Sequence, residues 1–498
     1  MSIRQKTGII LGLFVFVILL LIPVPDDINP KAMRAAAVSM LMAIFWVTEA
    51  ISIFSTAFIP IALFPLMGVL NANHIAASYG HHIVLLLLGA FLVAKAIETN
   101  NLHKRIALFT ILLIGTNRQH IILSFMIATA FLSMWTSNNS TTLMMLPIGL
   151  AIIQREHALG VKDAAFGSAL MLSIAYSASI GGTGTLVGTP PNLLFVSTMK
   201  EIYPDSPDIV FIDWLKIGLP FVAVFLPIAW FFIIKYFKVS GPLHGSDGII
   251  ENEYHELGPM SVAEKRVLVI CICYALGFVF RRDMQIGDLT IPGWSDILGV
   301  HMFVKDSTVA FFAATLMFLL PNGYSNGNGR QNKLLEWDDA KTIPWGIAML
   351  IGGGLAIAAA FRESGLIVWI GSNLELSGIS VFLILLLAVT SMVFLTEINS
   401  NTATTAVFLP VLAGVSNAGH FHPYLLMVPA TIAASCAFML PSGTGPNASI
   451  LASGQVTIPE MAKCGFWLNI FAIIVIVNLL YFIIMPTFEI NSTVPNWM

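Results

Sequence analysis

Long apolar runs recur from one end of the chain to the other, at residues 9–21, 83–92 and 470–484 among others, and no other feature limits the fold so tightly. The sequence is 57% hydrophobic and only 10% charged, where a soluble domain carries about 25% charged residues. A soluble globular enzyme is thereby excluded. Because the apolar surplus is spread over many segments rather than held in one anchor, the chain reads as an all-α polytopic membrane protein of the multi-pass kind, with the lipid bilayer as its surroundings. The net charge of -3 and the lack of a long basic run give no electrostatic footprint for nucleic acid.

A spanning helix needs about 20 apolar residues, since each adds about 1.5 Å against a hydrocarbon core of about 30 Å. Candidates lie at 8–24, 33–49, 51–69, 82–100, 208–234, 265–280, 306–320, 344–361 and 465–486. Arg4 and Lys6 precede an apolar run over 7–24 with no small-residue cleavage site, which predicts an uncleaved first span with a cytoplasmic N-terminus. That start places Lys104, Arg105, Arg118, Arg155, Lys162, Lys235, Lys238, Lys265, Arg266, Arg330, Lys333, Lys341 and Lys463 inside, and Lys31, Arg34, Arg281 and Arg282 outside. The majority follows the positive-inside bias. Cys271, Cys273, Cys436 and Cys464 lie in or beside apolar stretches without zinc-type or disulfide spacing and read as small core residues. The eleven histidines are scattered and form no ligand cluster.

Two stretches, 120–136 and 142–154, are apolar but short, and their outer ends carry Arg118 and Arg155 with Glu156. A re-entrant hairpin fits them better than two spans. The same shape returns at 381–396 and 403–415, flanked by Ser377, Asn417 and His420. Ser137-Asn138-Asn139-Ser140-Thr141-Thr142 followed by Pro147 matches Ser400-Asn401-Thr402-Ala403-Thr404-Thr405 followed by Pro410, 263 positions later. Residues 89–102 align with 353–366 at an offset of 264, and Gly188-Thr189-Pro190-Pro191-Asn192 aligns with Gly443-Thr444-Gly445-Pro446-Asn447 at 255. Three ordered matches make chance improbable. The chain then divides into a first span (1–30), repeat 1 (31–238, hairpin 119–156), a cytoplasmic linker (239–264, with Gly241-Pro242, Gly245 and, over 239–261, four acidic residues) and repeat 2 (265–498, hairpin 378–418). One span followed by two repeats of five spans and a hairpin each gives about 11 transmembrane helices plus two hairpins, and an odd number of spans inverts the second repeat. The first hairpin opens to the cytoplasm and the second to the exterior.

Each tip sets Ser137, Asn138, Asn139 or Ser400, Asn401, Thr402 among apolar neighbours. Polar groups at membrane depth are tolerated where they line a cavity, and helices broken there commonly bind substrate and coupling ion. Residues 166–181 and 424–440 read as half-helices stopped by the two Gly-Thr-x-Pro-Asn runs, where prolines remove donors and leave carbonyls unpaired. Oxygen ligands without fixed negative charge suit a monovalent cation, sodium being the natural choice, since Ca²⁺ or Mg²⁺ recruits carboxylates and zinc recruits Cys or His. Amide donors at half-helix N-termini favour an anion between the tips. A single Ser-Asn-Thr in a membrane helix is more often a hydrogen-bonding partner for a neighbouring helix; its duplication on short hairpins argues for function. Glu49 and Glu397 are candidate proton carriers, Glu397 the stronger for lying three residues before the second tip, whereas Lys95 and Glu98 read as an i, i+3 pair near the inner interface.

With these motifs, and with Ile343-Pro344-Trp345-Gly346 running into Gly352-Gly353-Gly354, the chain resembles over essentially its full length the divalent anion:sodium symporter family of sodium-coupled dicarboxylate, citrate and sulfate carriers. The resemblance implies a homodimer in the plasma (inner) membrane, with a scaffold region and a mobile transport region of hairpins and broken helices working as an elevator. It implies one sodium site at Ser133, Ser137, Asn138 and the backbone around Gly188, and another at Thr396, Asn399, Asn401 and the backbone around Gly443. Substrate carboxylates of a small di- or tricarboxylate would meet Asn138, Asn139, Thr189, Asn401, Thr402 and Thr444, beside Ser137 and Ser400 at the tips. Position 139 departs from the family, which has Thr there, and the longer amide bears on substrate size. Some relatives exchange one dicarboxylate for another without net sodium flux, so an exchanger stays open beside the symporter.

Other classes fit less well. An intramembrane hydrolase would need a nucleophile with its base, paired aspartates or a His-Glu-x-x-His run. An anion channel would need a continuous polar path rather than two oppositely opening hairpins, and a pump would need a Gly-x-x-x-x-Gly-Lys-Ser/Thr loop.

Overall fold

The computed structural model describes residues 1–498 except 26–27, 115–116, 160–162, 244–248, 287–288, 326–330, 375, 377 and 491–493. Lys162, Gly245, Arg330 and Ser377 fall outside the described residues. The chain begins with α1 (Ile3–Leu21) and α2 (Pro30–Thr48), which pack together through Gly8 and Gly12 of α1: a Cβ on Gly8 would meet the Thr48 side chain, and one on Gly12 would lie 2.7 Å from the Phe45 ring. Then come α3 (Ile53–Thr56), α4 (Ile59–Leu66), α5 (Ala72–Tyr79), α6 (His82–Thr99) and α7 (Leu102–Ile114). The expected single span at 51–69 is two pieces, and α7 was not anticipated, because Lys104 and Arg105 break its apolar pattern. Arg105 is consumed at 2.6 Å by Glu264 of a later helix.

The first hairpin is α8 (Arg118–Ser133) and α9 (Asn138–Ala158). Arg118, at the start of one arm, bonds both oxygens of Glu156, at the end of the other, at 3.0 Å, and reaches Asp163 at 2.9 Å. The charged ends therefore meet, and both arms begin and end on one side. The first broken helix follows as α10 (Ala164–Gly182) and α11 (Pro190–Ile202), then α12 (Phe211–Tyr236). In the linker, α13 (Ile249–Glu256) is pinned to α7 by Lys104 on Glu253 at 3.0 Å.

The second half contains α14 (Val262–Val279), the strands β1 (Met284–Ile286) and β2 (Leu289–Ile291), α15 (Trp294–Ile297), α16 (Asp306–Leu319), the strands β3 (Pro321–Ser325) and β4 (Gln331–Lys333), α17 (Trp337–Ala340), α18 (Trp345–Ser364) and α19 (Leu366–Asn373). The second hairpin is α20 (Val381–Ile398) and α21 (Asn401–Gly419), the second broken helix α22 (Tyr424–Ala434) and α23 (Gly445–Ala452). The chain closes with α24 (Ile458–Leu479), a π-turn at Leu480–Ile484 and α25 (Met485–Thr487). The two short antiparallel pairs, β1 with β2 and β3 with β4, are the sheet found among the described residues and were not expected. Eight helical stretches among the described residues are long and apolar enough to cross a membrane. Cys436 and Cys464 are buried as expected, whereas Cys273 is exposed and Cys271 half-buried.

Candidate functional site

At the first bend, α8 ends on Ser133 and α9 starts at Asn138, with Ser137 capping the helix by accepting from Ser140 N at 3.2 Å. The buried Ser133 hydroxyl lies 2.7 Å from Asn138 Oδ1 and 2.7 Å from the Ala178 carbonyl of α10. One hydroxyl proton serves one acceptor at a time, so this cluster holds more oxygen lone pairs than donors. The second bend repeats it. Thr396 Oγ1, also buried, lies 2.7 Å from Asn401 Oδ1 and 2.9 Å from the Ala434 carbonyl of α22.

The loops that break the helices are tied by matched bonds. Asn192 donates from Nδ2 to the Gly182 carbonyl at 3.4 Å and the Thr185 carbonyl at 2.8 Å; Asn447 donates to Ala437 at 3.1 Å and Leu440 at 3.0 Å. Thr185 Oγ1 reaches the Met134 carbonyl at the first tip at 2.5 Å, and Ser442 Oγ reaches the Glu397 carbonyl at the second at 3.1 Å. A Cβ on Gly188 would lie 3.0 Å from the Ser133 carbonyl, and one on Gly443 would lie 3.0 Å from that of Thr396. Each glycine thus lets its loop touch the end of the neighbouring hairpin arm.

Four oxygens are left over in matching places, and a fifth at the second bend. Asn192 Oδ1, Asn447 Oδ1, Ser179 Oγ, Ser435 Oγ and Asn399 Oδ1 are buried without a hydrogen-bond partner among the described residues. Each such group costs about 1–3 kcal/mol unless something else satisfies it. The chemistry of this set, neutral hydroxyl, amide and carbonyl oxygen, fits a small monovalent cation. The sequence reading did not single out Ser179 and Ser435, although their shared place before the two breaks, 256 positions apart, could have signalled them.

The broken helices cross over: α11 packs on α21 and α22, while α23 packs on α9 and α10. Each half's second half-helix thereby meets the other half's hairpin, and Asn139 at the first tip reaches Ser449 of α23. Pro190 and Pro191 open α11 without N–H groups, so that N-terminus does not supply the expected anion donors. The hairpin arms α9 and α21 do open on N–H groups. At Asn138 and Asn139, and at Asn401, Thr402 and Ala403, the first-turn N–H groups have no intrahelical acceptor. Thr189 is buried and caps α11 without a side-chain bond, and Thr444 caps α23 by accepting from Asn447 N at 3.4 Å.

Exposure differs between the tips. A cavity of about 450 Å³ opens beside the first, lined by Thr136, Ser137, Ser140 and Thr141 together with Lys95, Glu98 and His103. Its counterpart at the second, lined by Asn399, Ala403, Thr404, Ala43 and Val47, is about 170 Å³ and largely apolar. Asn139 is exposed; Thr402 is 8% exposed. Lys95 and Glu98 form the expected pair at 2.9 Å.

Glu397 is buried and accepts from Phe438 N, Met439 N, Leu440 N and Asn469 Nδ2 at 2.7 to 3.0 Å. Four donors make this side chain a clamp on the chain after α22. They also explain why α22 stops at Ala434 and not near 440: the carboxylate takes the backbone N–H groups a longer helix would need. Glu49 ends α2 in a left-handed conformation, with Arg4 at 4.0 Å.

A helical multi-pass bundle whose two hairpins and two broken helices converge on one polar centre defines a membrane carrier rather than an enzyme. The chain belongs to the family described as "Sodium:sulfate symporter transmembrane region", whose model matches residues 4–486. A sodium-dependent dicarboxylate transporter of Staphylococcus saprophyticus is 40% identical over 99% of this chain and 94% of its own length. Its namesake in Staphylococcus aureus is 38% identical with the same coverage. Among solved structures, Neisseria gonorrhoeae MtrF, described with a class of antimetabolite efflux pumps, superposes with a TM-score of 0.54 over 95% of this chain and 94% of its own. At 13% identity that likeness shows the fold alone.

Proposed function

We propose that the protein is a secondary active carrier that moves a small dicarboxylate, of the succinate, malate and fumarate kind, together with sodium. The observation that carries this reading is the doubled oxygen surplus at the two bends, which asks for two small cations and no counter-charge from the protein. In this reading Ser133, Ser137, Asn138 and the backbone around Gly188 hold one sodium. Thr396, Asn399, Asn401 and the backbone around Gly443 hold the other. The diacid lies between the tips, on the free N–H groups of α9 and α21 and on the side chains of Asn138, Asn139, Thr189, Ser400, Asn401, Thr402 and Thr444.

The two cations offset the two carboxylates, so ions and substrate stabilise one another's binding. The repeats are inverted, the spans number eleven, and the N-terminus lies in the cytoplasm of a bacterial cell, its plasma membrane holding the protein as a homodimer. With the first hairpin facing the cytoplasm, the large cavity at that tip makes this the inward-open arrangement, and an elevator movement of hairpins and broken helices supplies the outward one.

Proteoliposomes test the reading. Labelled succinate uptake is expected to rise with an inward sodium gradient and to need no internal substrate. Uptake that ignores sodium but requires internal dicarboxylate would make the protein an exchanger instead.

A further inference from the structure

Asn139 stands where the second tip has Thr402, and Gly445 stands where the first loop has Pro190. The two departures touch. A Cβ on Gly445 would lie 2.8 Å from Asn139 Oδ1 and 2.9 Å from its Cγ, closer than side chains pack. Ser449, one turn along α23, donates from Oγ to the same Oδ1 at 3.3 Å. Gly445 is the first residue of α23, a position where proline is favoured and where Pro190 opens α11. Glycine there costs chain entropy, and the room it leaves is the room the Asn139 carboxamide occupies.

With Oδ1 engaged by Ser449, the Asn139 carboxamide has only its two N–H donors to offer. The residue is exposed, and among the described residues its Nδ2 makes no hydrogen bond. A threonine there would carry a hydroxyl that both donates and accepts, one bond nearer the backbone.

We propose that Asn139, held by Ser449 and accommodated by Gly445, gauges the length of the diacid: its amide narrows the gap a threonine would leave and receives one carboxylate of a four-carbon diacid. Ser449 and Gly445 are positioning residues that act through Asn139. This rests on the reading of the gap as a diacid site, and the test separates the two.

Proteoliposomes take up labelled succinate in competition with glutarate and adipate. The unsubstituted protein prefers succinate over glutarate by about tenfold or more, the scale of one misplaced methylene. Asn139→Thr reduces that ratio severalfold. Ser449→Ala, a small change at a half-exposed site, reduces it in the same direction and has no further effect when Asn139 is already threonine; Gly445→Ala is likewise relieved by Asn139→Thr. Succinate uptake with an unchanged ratio in both Ser449→Ala and Gly445→Ala, or effects that simply multiply in the double variants, would overturn the gauge while leaving the carrier intact. If the unsubstituted protein takes up none of these acids, the functional reading itself fails.

Discussion

Ser133 and Thr396 do the same work in the two halves, each placing a hydroxyl among more acceptors than it can satisfy. In the proposed sites, removing either hydroxyl takes away one cation ligand and leaves the tip in place. Ser133→Ala and Thr396→Ala are each expected to raise the sodium concentration for half-maximal uptake by about tenfold, equivalent to about 1.4 kcal/mol, while Thr396→Ser stays near the unsubstituted value. An unaltered sodium requirement in both alanine variants would make the hydroxyls mere packing. The glycines give a graded contrast. A methyl at Gly188 would lie 2.5 Å from the Gly182 carbonyl, whereas at Gly443 the nearest atoms are 3.0 Å away. Gly188→Ala is therefore expected to lower thermal stability and uptake more than Gly443→Ala, and the reverse order would show that the two loops are not built alike.

Glu397 shows what a single residue does to an element. Its carboxylate binds three consecutive backbone N–H groups and Asn469, so it holds the stretch after α22 open at the level of the second tip. Glutamine would offer one acceptor and turn N–H against N–H; Glu397→Gln is expected to cost about 2–3 kcal/mol, read as a lower melting temperature with uptake lost. Unchanged melting would mean that the loop holds itself. This clamp also marks where the sequence stopped being legible. The bends at 133–138 and 398–401 could be read because hydroxyl and amide residues interrupt apolar runs at the same spacing twice. The end of α22 at Ala434 could not, because the group that ends it lies 37 positions earlier. Nor could α7, whose Arg105 looks like a terminator until Glu264 arrives to pair with it.

Across the whole molecule, ion pairs at the end of α6 away from the large cavity tie α11 and the connection after it to the segments around α14, α16 and α18. Asp208, in the connection from α11 to α12, pairs with Lys200 at 3.0 Å, Arg282 at 3.0 Å and Lys305 at 2.7 Å, and Glu201 of α11 pairs with Arg362 of α18 at 3.1 Å. In the proposed elevator, movement of α11 breaks the joints to the segments around α14, α16 and α18. Asp208→Asn combined with Glu201→Gln is expected to shift the protein away from the inward-open arrangement. In a background without Cys271, Cys273, Cys436 and Cys464, a cysteine at Ala403 should gain severalfold in reactivity toward an impermeant thiol reagent and one at Ser140 should lose it; unchanged labelling at both would show that these pairs do not set the balance. Burial alone would push the Asp208 carboxyl up, but its bonds to Lys305 and Lys200 prevail and hold it well below the usual range. A depressed folded pKa stabilises above the unfolded value near 4, so this joint is constant from neutral pH down to about 4 and weakens below it, which a melting series against pH would show by a fall absent from Asp208→Asn. The four broken elements were legible as paired motifs, but their crossover, α11 on α21 and α23 on α9, came from packing between segments about 200 positions or more apart. The most direct test of the paired centre is the initial rate of succinate uptake as a function of sodium concentration: a sigmoidal dependence is expected, abolished by Asn138→Ala and by Asn401→Ala alike in protein that remains folded, and a sodium-independent rate, or normal uptake in either variant, would contradict it.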